Sequence, residues 1–286
     1  MSNVDFTIVI PAKNEAINLQ SLLPELISLY PQAEIIVVND GSTDNTEEVC
    51  KTNNVNVISH VYSKGNGASI KTGARAAQGD IIVFMDGDGQ HQPKDISLLL
   101  AQLKSGADMC VGARDSKSQA SVGRSLANSL YNKLATLISG HPVADLTSGF
   151  RAVYRKKFKS FIYLLPNGFS YPTTITMAFF RAGFSVRYVP IVALARKGKS
   201  HVNIVKDGMR FLIIIFKIGT LYSPLKIFIP AAMAFFFTGV GYYMYTFLTR
   251  HVFTNMSAVL FLSAVIVFLI GLVSEQITVL MYKDTE

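Results

Sequence analysis

The chain has 286 residues, of which 50% are hydrophobic, and its 27 Lys and Arg residues against 19 Asp and Glu give a formal net charge of +8. A chain of this length and composition can form a complete α/β domain with a buried core and still have apolar residues outside it. The sequence has no compact basic run and no nucleic-acid-binding motif, so its positive charge favours an anionic membrane surface over nucleic acid as a partner. Its two cysteines, far apart, argue against a disulfide framework or a cysteine metal site.

The N-terminal residues do not predict an export signal. Residues 1–5 lack a basic segment, and the apolar run 6–10 is too short for the core of a signal peptide. We therefore expect the domain that begins here to stay in the cytosol.

Short apolar segments alternate with amphipathic ones through the first 111 residues. The predicted strands are residues 6–10, 34–38, 55–59, 81–85 and 109–111. The predicted helices between them are residues 15–29, 43–51, 68–77 and 93–103. This alternation is typical of a parallel sheet with right-handed crossovers.

Polar loops follow three of these strands. Pro11-Ala12-Lys13-Asn14-Glu15 follows the first strand, Asn39-Asp40-Gly41-Ser42 the second, and Asp86-Gly87-Asp88 the fourth. Because the carboxyl ends of parallel strands share one edge, we expect these loops to converge on one crevice. A further segment, Lys64-Gly65-Asn66-Gly67, departs from the G-x-G-x-x-G spacing, so we interpret it as a turn before a helix, with nucleotide contact as a secondary role.

The acidic loop after the fourth strand is the most informative of these. Asp86 and Asp88 stand one residue apart, and such a pair can hold Mg²⁺ or Mn²⁺ while the ion's other positions bind a nucleoside diphosphate. An ordinary Asp/Gly turn is the alternative for an isolated Asp-Gly-Asp-Gly. The neighbouring polar loops favour the metal, so the segment predicts group transfer from a nucleotide-activated donor.

Two long uncharged segments lie near the end of the chain. Residues 227–249 and 252–274 each exceed the roughly 20 residues that a helix needs to cross a bilayer, and only Arg250 and His251 separate them. A buried pair of soluble helices is the alternative, but paired runs of this length favour a transmembrane hairpin. Basic residues flank it on the domain side, as the positive-inside rule requires. They are Lys206, Arg210, Lys217, Lys226 and Lys283.

The segment that precedes the hairpin has its own pattern. On a helix, Lys206, Arg210 and Lys217 fall within one narrow sector, and the apolar run 211–216 is too short to span a membrane. We predict an amphipathic helix that lies at the lipid headgroups. A solvated connecting helix is the alternative.

Five motifs stand in order along the chain. They are residues 8–15 (IVIPAKNE), 37–44 (VVNDGSTD) with Thr46, 86–91 (DGDGQH), 145–151 (DLTSGFR) and 196–200 (RKGKS). Their order resembles that of family 2 inverting glycosyltransferases, in the group of dolichol-phosphate mannose synthases and bacterial polyprenyl-phosphate glycosyltransferases. The resemblance covers about residues 5–201, and five ordered motifs are far more specific than any one of them.

The resemblance implies an α/β fold with a GT-A (Rossmann-like), mostly parallel sheet. The expected organisation is a cytosolic transferase domain over residues 1–201, an interfacial amphipathic helix region over 202–224, and a transmembrane hairpin over 225–286 with helices at about 227–248 and 256–280. We expect the protein in the cell membrane, with the catalytic domain and both termini in the cytoplasm.

The resemblance also assigns site residues. It gives nucleotide-sugar binding to Pro11, Ala12, Asn14, Glu15, Asp40, Lys64, Asp86, Gly87 and Arg196, and Mg²⁺ or Mn²⁺ binding to Asp86, Asp88 and Gln90. It gives acceptor phosphate binding to Arg114, Arg124, Ser125 and Arg151, and catalytic roles to Asp88, Asp145 and Arg196. Asp145 and Arg151 are the expected pair that shapes the sugar and acceptor pocket. Three positions depart from the family pattern, namely Lys199, His201 and Leu146 after Asp145.

The implied reaction moves a sugar from a nucleotide-diphosphate sugar to a polyprenyl phosphate with inversion, for glycan or cell-envelope assembly. The acceptor phosphate is already ionised, so positioning and charge neutralisation supply most of the catalysis without a strong base. GDP-mannose, UDP-glucose and UDP-N-acetylhexosamine remain open as donors. Gly239, Gly241 and Gly271 leave room for a homo-oligomer through the membrane helices.

Three other functions compete with this one. A processive polysaccharide synthase carries a Gln-x-x-Arg-Trp signature, and this chain has no tryptophan. A non-catalytic membrane platform would bind nucleotide sugar or lipid without chemistry, against which the intact Asp86, Asp88 and Arg196 argue. A nucleotidyltransferase is disfavoured because no glycine- and arginine-rich triphosphate loop follows Ile10.

Overall fold

The computed structural model describes residues 5–114, 122–168, 170–193, 216, 219–220 and 222–282, without the side chains of residues 122–128. The chain divides into two compact units, Met1–Ile214 and Ile215–Glu286. A mixed α/β sheet domain makes up the first unit, and two long helices dominate the second.

Seven strands form one sheet in the described part of the chain, in the order β3-β2-β1-β4-β6-β5-β7. They are β1 (Phe6–Ala12), β2 (Glu34–Asn39), β3 (Asn56–Ser59), β4 (Ile81–Phe84), β5 (Met109–Arg114), β6 (Arg151–Tyr154) and β7 (Val186–Ile191). β1 pairs in parallel with β2 and β4, β2 with β3, and β5 with β7. The predicted α/β fold with a mostly parallel sheet is confirmed.

The central strands are apolar on both faces. Ile8, Val9, Val37 and Val83 are fully buried, as is expected where helices cover both sides of a parallel sheet. This continuous apolar character is why the sequence identified these strands to within about two residues. Because these strands are buried, they also fix the positions at which the polar loops after them begin.

β6 is the exception to the parallel arrangement. It lies antiparallel between β4 and β5 and pairs Arg151 with Phe84 on one side and with Val111 on the other. β6 is only four residues long. The sequence predicted neither β6 nor β7. β6 brings residues 145–151 next to the end of β4, which shapes the site described below.

Seven helices of the described part belong to the first unit. They are α1 (Ala16–Leu29), α2 (Thr46–Thr52), α3 (Asn66–Ala76), α4 (Ile96–Lys104), α5 (Val122–Ser139), α6 (Arg155–Ser160) and α7 (Tyr171–Arg181). α2 begins three residues later than the sequence predicts, because Asp44 accepts hydrogen bonds from the backbone N–H of Thr46 and of Ala16. Asp44 therefore ties together the first turns of α1 and α2.

The second unit is a helical hairpin of α8 (Leu225–Arg250) and α9 (Asn255–Met281). Both helices are long and apolar enough to cross a membrane by length and composition, with mean hydropathies of 1.5 and 2.8. His251, in the left-handed region, ends α8, and Thr254 caps α9 by accepting a bond from the N–H of Ser257. The predicted pair of helices is confirmed.

Small residues form the contact between the two helices. Those that the hairpin buries recur every seven positions: Ala232, Gly239 and Thr246 in α8, and Ser257, Ala264, Gly271 and Thr278 in α9. Side chains of Leu260 and Phe261 lie close to Gly239, and Phe228 lies close to Gly271. A seam of small residues lets two helix backbones approach closely. Two of the three glycines that we considered for self-association therefore serve packing within the hairpin.

Most of the predicted interfacial helix lies outside the described residues. This includes Lys206, Arg210 and Lys217, so the interfacial helix stays a prediction, as do the predicted domain limits at residues 201 and 224.

Candidate active site

A cavity of about 420 Å³ opens at the carboxyl ends of the central parallel strands. Residues from four loops line it: Pro11, Ala12, Lys13 and Glu15 after β1, Asp40 after β2, Ser63, Gly65, Asn66 and Ser69 around the start of α3, and Asp86, Gly87 and Asp88 after β4. The three polar loops that follow β1, β2 and β4 therefore meet in one crevice, as their position after parallel strands predicts.

The acidic loop supplies two carboxylates to this cavity. Asp88 Oδ1 accepts a hydrogen bond from the backbone N–H of Gln90 at 3.1 Å, which fixes the turn. No group of three or more His, Cys, Asp or Glu side chains in the described part of the chain is arranged to hold a metal ion. Two carboxylates still suit Mg²⁺ or Mn²⁺, because such ions are often held by one or two carboxylates together with substrate phosphates and water. Gln90 is not among the lining residues.

Asp40 organises the wall of the cavity. Its Oδ1 accepts hydrogen bonds from His60 Nδ1 at 2.7 Å and Lys64 N at 2.8 Å, and its Oδ2 from Ser63 Oγ at 2.8 Å and Gly65 N at 2.9 Å. Burial acts to raise the pKa of this carboxyl, but the four donors outweigh it and lower the pKa to about 2. The acceptor positions of an ionised carboxylate are thus filled by the protein.

Asn14 and Lys64, both predicted to bind the nucleotide, are not among the lining residues. Asn14 adopts a positive φ of 56°, and its Oδ1 accepts a bond from Thr43 N at 2.8 Å, which joins the loops after β1 and β2. Lys64 contributes its backbone N–H to Asp40, and its ammonium group lies 5.8 Å from the centroid of the Tyr62 ring. Both residues shape the loops that form the cavity.

Asp145 forms an ion pair with Arg114. Arg114 Nε donates to Asp145 Oδ2 at 2.8 Å and Nη2 donates to Oδ1 at 3.1 Å, while Nη2 also donates to Thr147 Oγ1. Burial acts to raise the pKa of the Asp145 carboxyl, but the bonds and charge of Arg114 hold that pKa below its usual range. The same pair raises the pKa of Arg114 against the effect of burial. Both groups are therefore charged.

Arg151, predicted with Asp145 to shape the sugar and acceptor pocket, is fully buried. The ion-pair partner of Asp145 is Arg114. The guanidinium of Arg151 donates to the carbonyls of Ser148 and Pro172 and to Thr176 Oγ1. This burial argues against a direct contact between Arg151 and an acceptor phosphate, because the antiparallel strand β6 turns the side chain into the domain, and that assignment stays a prediction.

Two buried histidines were given no role by the sequence. His60 holds Asp40 through Nδ1 and contacts Thr72 Oγ1 through Nε2 at 3.0 Å. His91 stacks on Phe150 with ring centroids 4.9 Å apart, and burial lowers its pKa although Asp86 and Asp88 oppose that shift. His60 directly follows β3, and this position was the available signal for it. The hydrogen-bond and stacking partners of both histidines lie more than ten residues away in sequence.

Three predicted residues have no described side chain. Arg196, assigned to the leaving diphosphate, lies outside the described residues. Arg124 and Ser125 fall within α5, of which only the backbone is described at these positions. Their assignments to the leaving diphosphate and the acceptor phosphate stay predictions.

Comparison with known families decides the classification. The family model "Glycosyl transferase family 2" matches residues 7–161, more than half of the chain. The chain belongs to glycosyl transferase family 2. A second model, "GtrB C-terminal hairpin", matches residues 223–280, which contain α8 and most of α9. This family 2 member therefore joins a transferase domain to a membrane-type hairpin.

Individual relatives agree with this assignment. Glycosyltransferase AglJ of Haloferax volcanii is 25% identical over 91% of this chain and 88% of its own length. Polyprenol monophosphomannose synthase of Mycolicibacterium smegmatis is 29% identical over 66% of this chain and 77% of its own length.

A solved structure shares the fold of the family 2 domain. Glucosyl-3-phosphoglycerate synthase of Mycobacterium tuberculosis, in complex with Mn²⁺, UDP and glucosyl-3-phosphoglycerate, superposes with a TM-score of 0.60 at 22% identity. The match covers 74% of this chain and 79% of that protein. The sheet domain therefore has the GT-A fold.

Proposed function

We propose that this protein transfers a sugar from a nucleotide-diphosphate sugar to a polyprenyl phosphate, with inversion at the anomeric carbon. The observation that carries the proposal is that Asp86 and Asp88 line the same cavity as Asp40 and the loop after β1. The charged Arg114–Asp145 pair, the hairpin and the name of the mycobacterial relative support a lipid phosphate as acceptor.

The donor half of the cavity binds the nucleotide diphosphate. Pro11, Glu15 and the loops held by Asp40 enclose the nucleoside, and Asp86 and Asp88 hold Mg²⁺ or Mn²⁺. When bound there, such an ion would supply positive charge to stabilise the departing diphosphate. The complex of the mycobacterial structural neighbour with Mn²⁺ and UDP is consistent with this use of the cavity.

Positive charge for the acceptor comes from Arg114, which is not among the residues that line this cavity. Arg114 keeps its Nη1 group outside the hydrogen bonds to Asp145 and Thr147, so one edge of the guanidinium is available for a phosphate oxygen. Asp145 holds that edge in place and is a positioning residue. The ionised phosphate oxygen attacks the anomeric carbon in a single displacement while the diphosphate leaves, and this inverts the anomeric centre.

The membrane arrangement follows from the acceptor. A polyprenyl chain stays in the bilayer, so its phosphate is reached only at the membrane surface. We assign the transferase domain to residues 1–201, an interfacial helix to 202–224 and a multi-pass anchor to 225–286 in the cell membrane. Lys226 and Lys283 against Arg250 in the turn favour a cytoplasmic domain with both termini on that side.

A panel of donors tests the proposal. Membranes that contain the protein are incubated with radiolabelled GDP-mannose, UDP-glucose or UDP-N-acetylglucosamine, and label is measured in the organic extract. We expect one donor to label a lipid whose sugar has the anomeric configuration opposite to that of the donor. Asp86→Asn should abolish this label and Glu25→Gln, an exposed carboxylate on α1, should not. Absence of lipid label with every donor would contradict the proposal.

A further inference from the structure

The carboxylate of Asp86 lies against a glycine. In the antiparallel pairing of β4 with β6, Phe84 stands opposite Arg151, and the same register two residues further places Asp86 opposite Gly149. Side chains at such opposed positions are direct neighbours. A methyl group on Gly149 would lie 2.8 Å from Asp86 Oδ2, 3.2 Å from Oδ1 and 3.3 Å from Cγ. Any side chain at residue 149 would displace this carboxylate.

The backbone around Gly149 is fixed on every side. Ser148 N donates to Asp145 Oδ1 at 3.1 Å, and Arg151 donates to the carbonyl of Ser148. The carbonyl of Gly149 accepts a bond from the hydroxyl of Tyr171 at 3.3 Å, and that of Phe150 accepts one from Gly112 N at 2.9 Å. The carbonyls of residues 148, 149 and 150 are thus all hydrogen-bonded within the domain. The backbone of this segment therefore cannot easily move away from an added side chain at residue 149.

We propose that Gly149 is a positioning residue for Asp86, and that residues 148–150 form the rigid floor that sets the direction of this carboxylate into the donor cavity. The inference rests on the proposed function, in which Asp86 and Asp88 hold the metal. It also gives Arg151 and Tyr171 a role, because both hold the floor from the interior of the domain. Metal affinity falls when groups that orient a ligand are changed, typically by about 10- to 100-fold.

The variant that tests the proposal is Gly149→Ala in the full-length protein in detergent. Gly149 has no positive φ, so alanine strains no backbone there, and its three closest contacts all belong to the carboxyl group of Asp86. Gly241→Ala is the matched control, because among the described residues no heavy atom lies within 4 Å of a Cβ at residue 241, and this residue belongs to the other unit of the chain. Free Mn²⁺ is measured by electron paramagnetic resonance, with the metal alone and with UDP or GDP present.

We expect Gly149→Ala to raise the dissociation constant for Mn²⁺ by about tenfold or more, with a thermal unfolding midpoint equal to that of the wild type. Gly241→Ala should leave the constant unchanged. Wild-type affinity in Gly149→Ala would overturn the positioning role alone. Absence of Mn²⁺ binding by the wild type in all three conditions would overturn the proposed metal site, and the positioning role with it.

A second variant keeps the test decisive if Gly149→Ala does not fold. Tyr171→Phe keeps the buried ring and removes only the hydroxyl that holds the carbonyl of Gly149. We expect a smaller rise in the same dissociation constant, about threefold. An unchanged constant in a folded Tyr171→Phe protein, together with an unfolded Gly149→Ala protein, would show that Gly149 serves the fold and not the metal.

Discussion

Asp40 contributes to stability through its charge. The carboxylate of Asp40 accepts hydrogen bonds from four donors, which belong to His60, Ser63, Lys64 and Gly65. Asparagine at this position would direct its amide N–H donors towards some of these donors. The pKa of Asp40 is lowered from 3.8 to about 2, and a shift of this size corresponds to about 2 kcal/mol. We therefore expect Asp40→Asn to lower the free energy of unfolding by about 2 kcal/mol at neutral pH.

The pH dependence has a definite sign. Because the folded-state pKa is the lower one, the contribution of Asp40 is complete above about pH 4 and is lost as the pH falls towards 2. Denaturant unfolding of the wild type and of Asp40→Asn should therefore converge in that interval. A difference between the two proteins that stayed constant from pH 6 to pH 2 would rule out the charge as its cause.

We expect Arg114 to serve both the fold and the binding of the acceptor. Arg114→Ala leaves the carboxylate of Asp145 buried without its ion-pair partner, and we expect a loss of about 3 kcal/mol in the free energy of unfolding.

Arg114→Lys keeps the charge but loses the fork of two donors. In steady-state kinetics, this variant should raise the KM for lipid phosphate while the KM for nucleotide sugar changes little. The reverse pattern would assign Arg114 to the donor.

At the scale of residues, the sequence predicted that the polar loops after the strands converge. Pro11, Glu15, Asp40, Asp86 and Asp88 line one cavity because each follows a strand whose position an apolar run reveals. The Arg114–Asp145 pair and the contact of Gly149 with Asp86 were not predicted. Both depend on an antiparallel strand of four residues, too short to give a periodic signal.

At the scale of elements, the N-terminus of α3 packs closely against the loop before α7. A methyl group on Gly67 would lie 2.1 Å from the carbonyl oxygen of Pro166 and 2.7 Å from that of Gly168. Lys71 Nζ also binds this loop, through the carbonyl of Leu165 at 3.1 Å. The start of α3 is therefore set by the loop before α7.

Gly67→Ala tests this contact. The added methyl group must push α3 away from the backbone of residues 166–168, and overpacking of this kind costs about 1–3 kcal/mol. Because Asn66 and Ser69 line the donor cavity, we expect a raised KM for nucleotide sugar and a lowered unfolding midpoint. A midpoint and KM equal to those of the wild type would show that the loop adapts.

In the hairpin, composition is sufficient to predict the two helices but not the face on which they pack. Long uncharged runs predicted α8 and α9, and the structure extends each helix by a few residues. The seven-residue spacing of the buried small residues was present in the sequence but only the structure identifies which face they share. That face packs one helix on the other, so a surface for self-association has to be sought elsewhere.

At the scale of the whole molecule, the account requires the turn of the hairpin and the C-terminus to lie on opposite sides of the membrane. Phe253 is exposed in the turn. In intact cells, Phe253→Cys should react with a membrane-impermeant thiol reagent, whereas Lys283→Cys should react only after permeabilisation. The native Cys50 and Cys110 are buried and give little background. Labelling of both introduced cysteines from outside would contradict the hairpin topology.

The central claim is that a lipid phosphate is the nucleophile, and one comparison of acceptors tests it most directly. Purified protein in liposomes receives the labelled nucleotide sugar that the donor panel identifies, with either polyprenyl phosphate or the matching polyprenol. An ionised phosphate needs no strong base, whereas a neutral alcohol does. We predict label in the lipid with polyprenyl phosphate only, and its loss on addition of EDTA. Equal labelling of polyprenol, or transfer to a water-soluble acceptor instead of either lipid, would contradict the account.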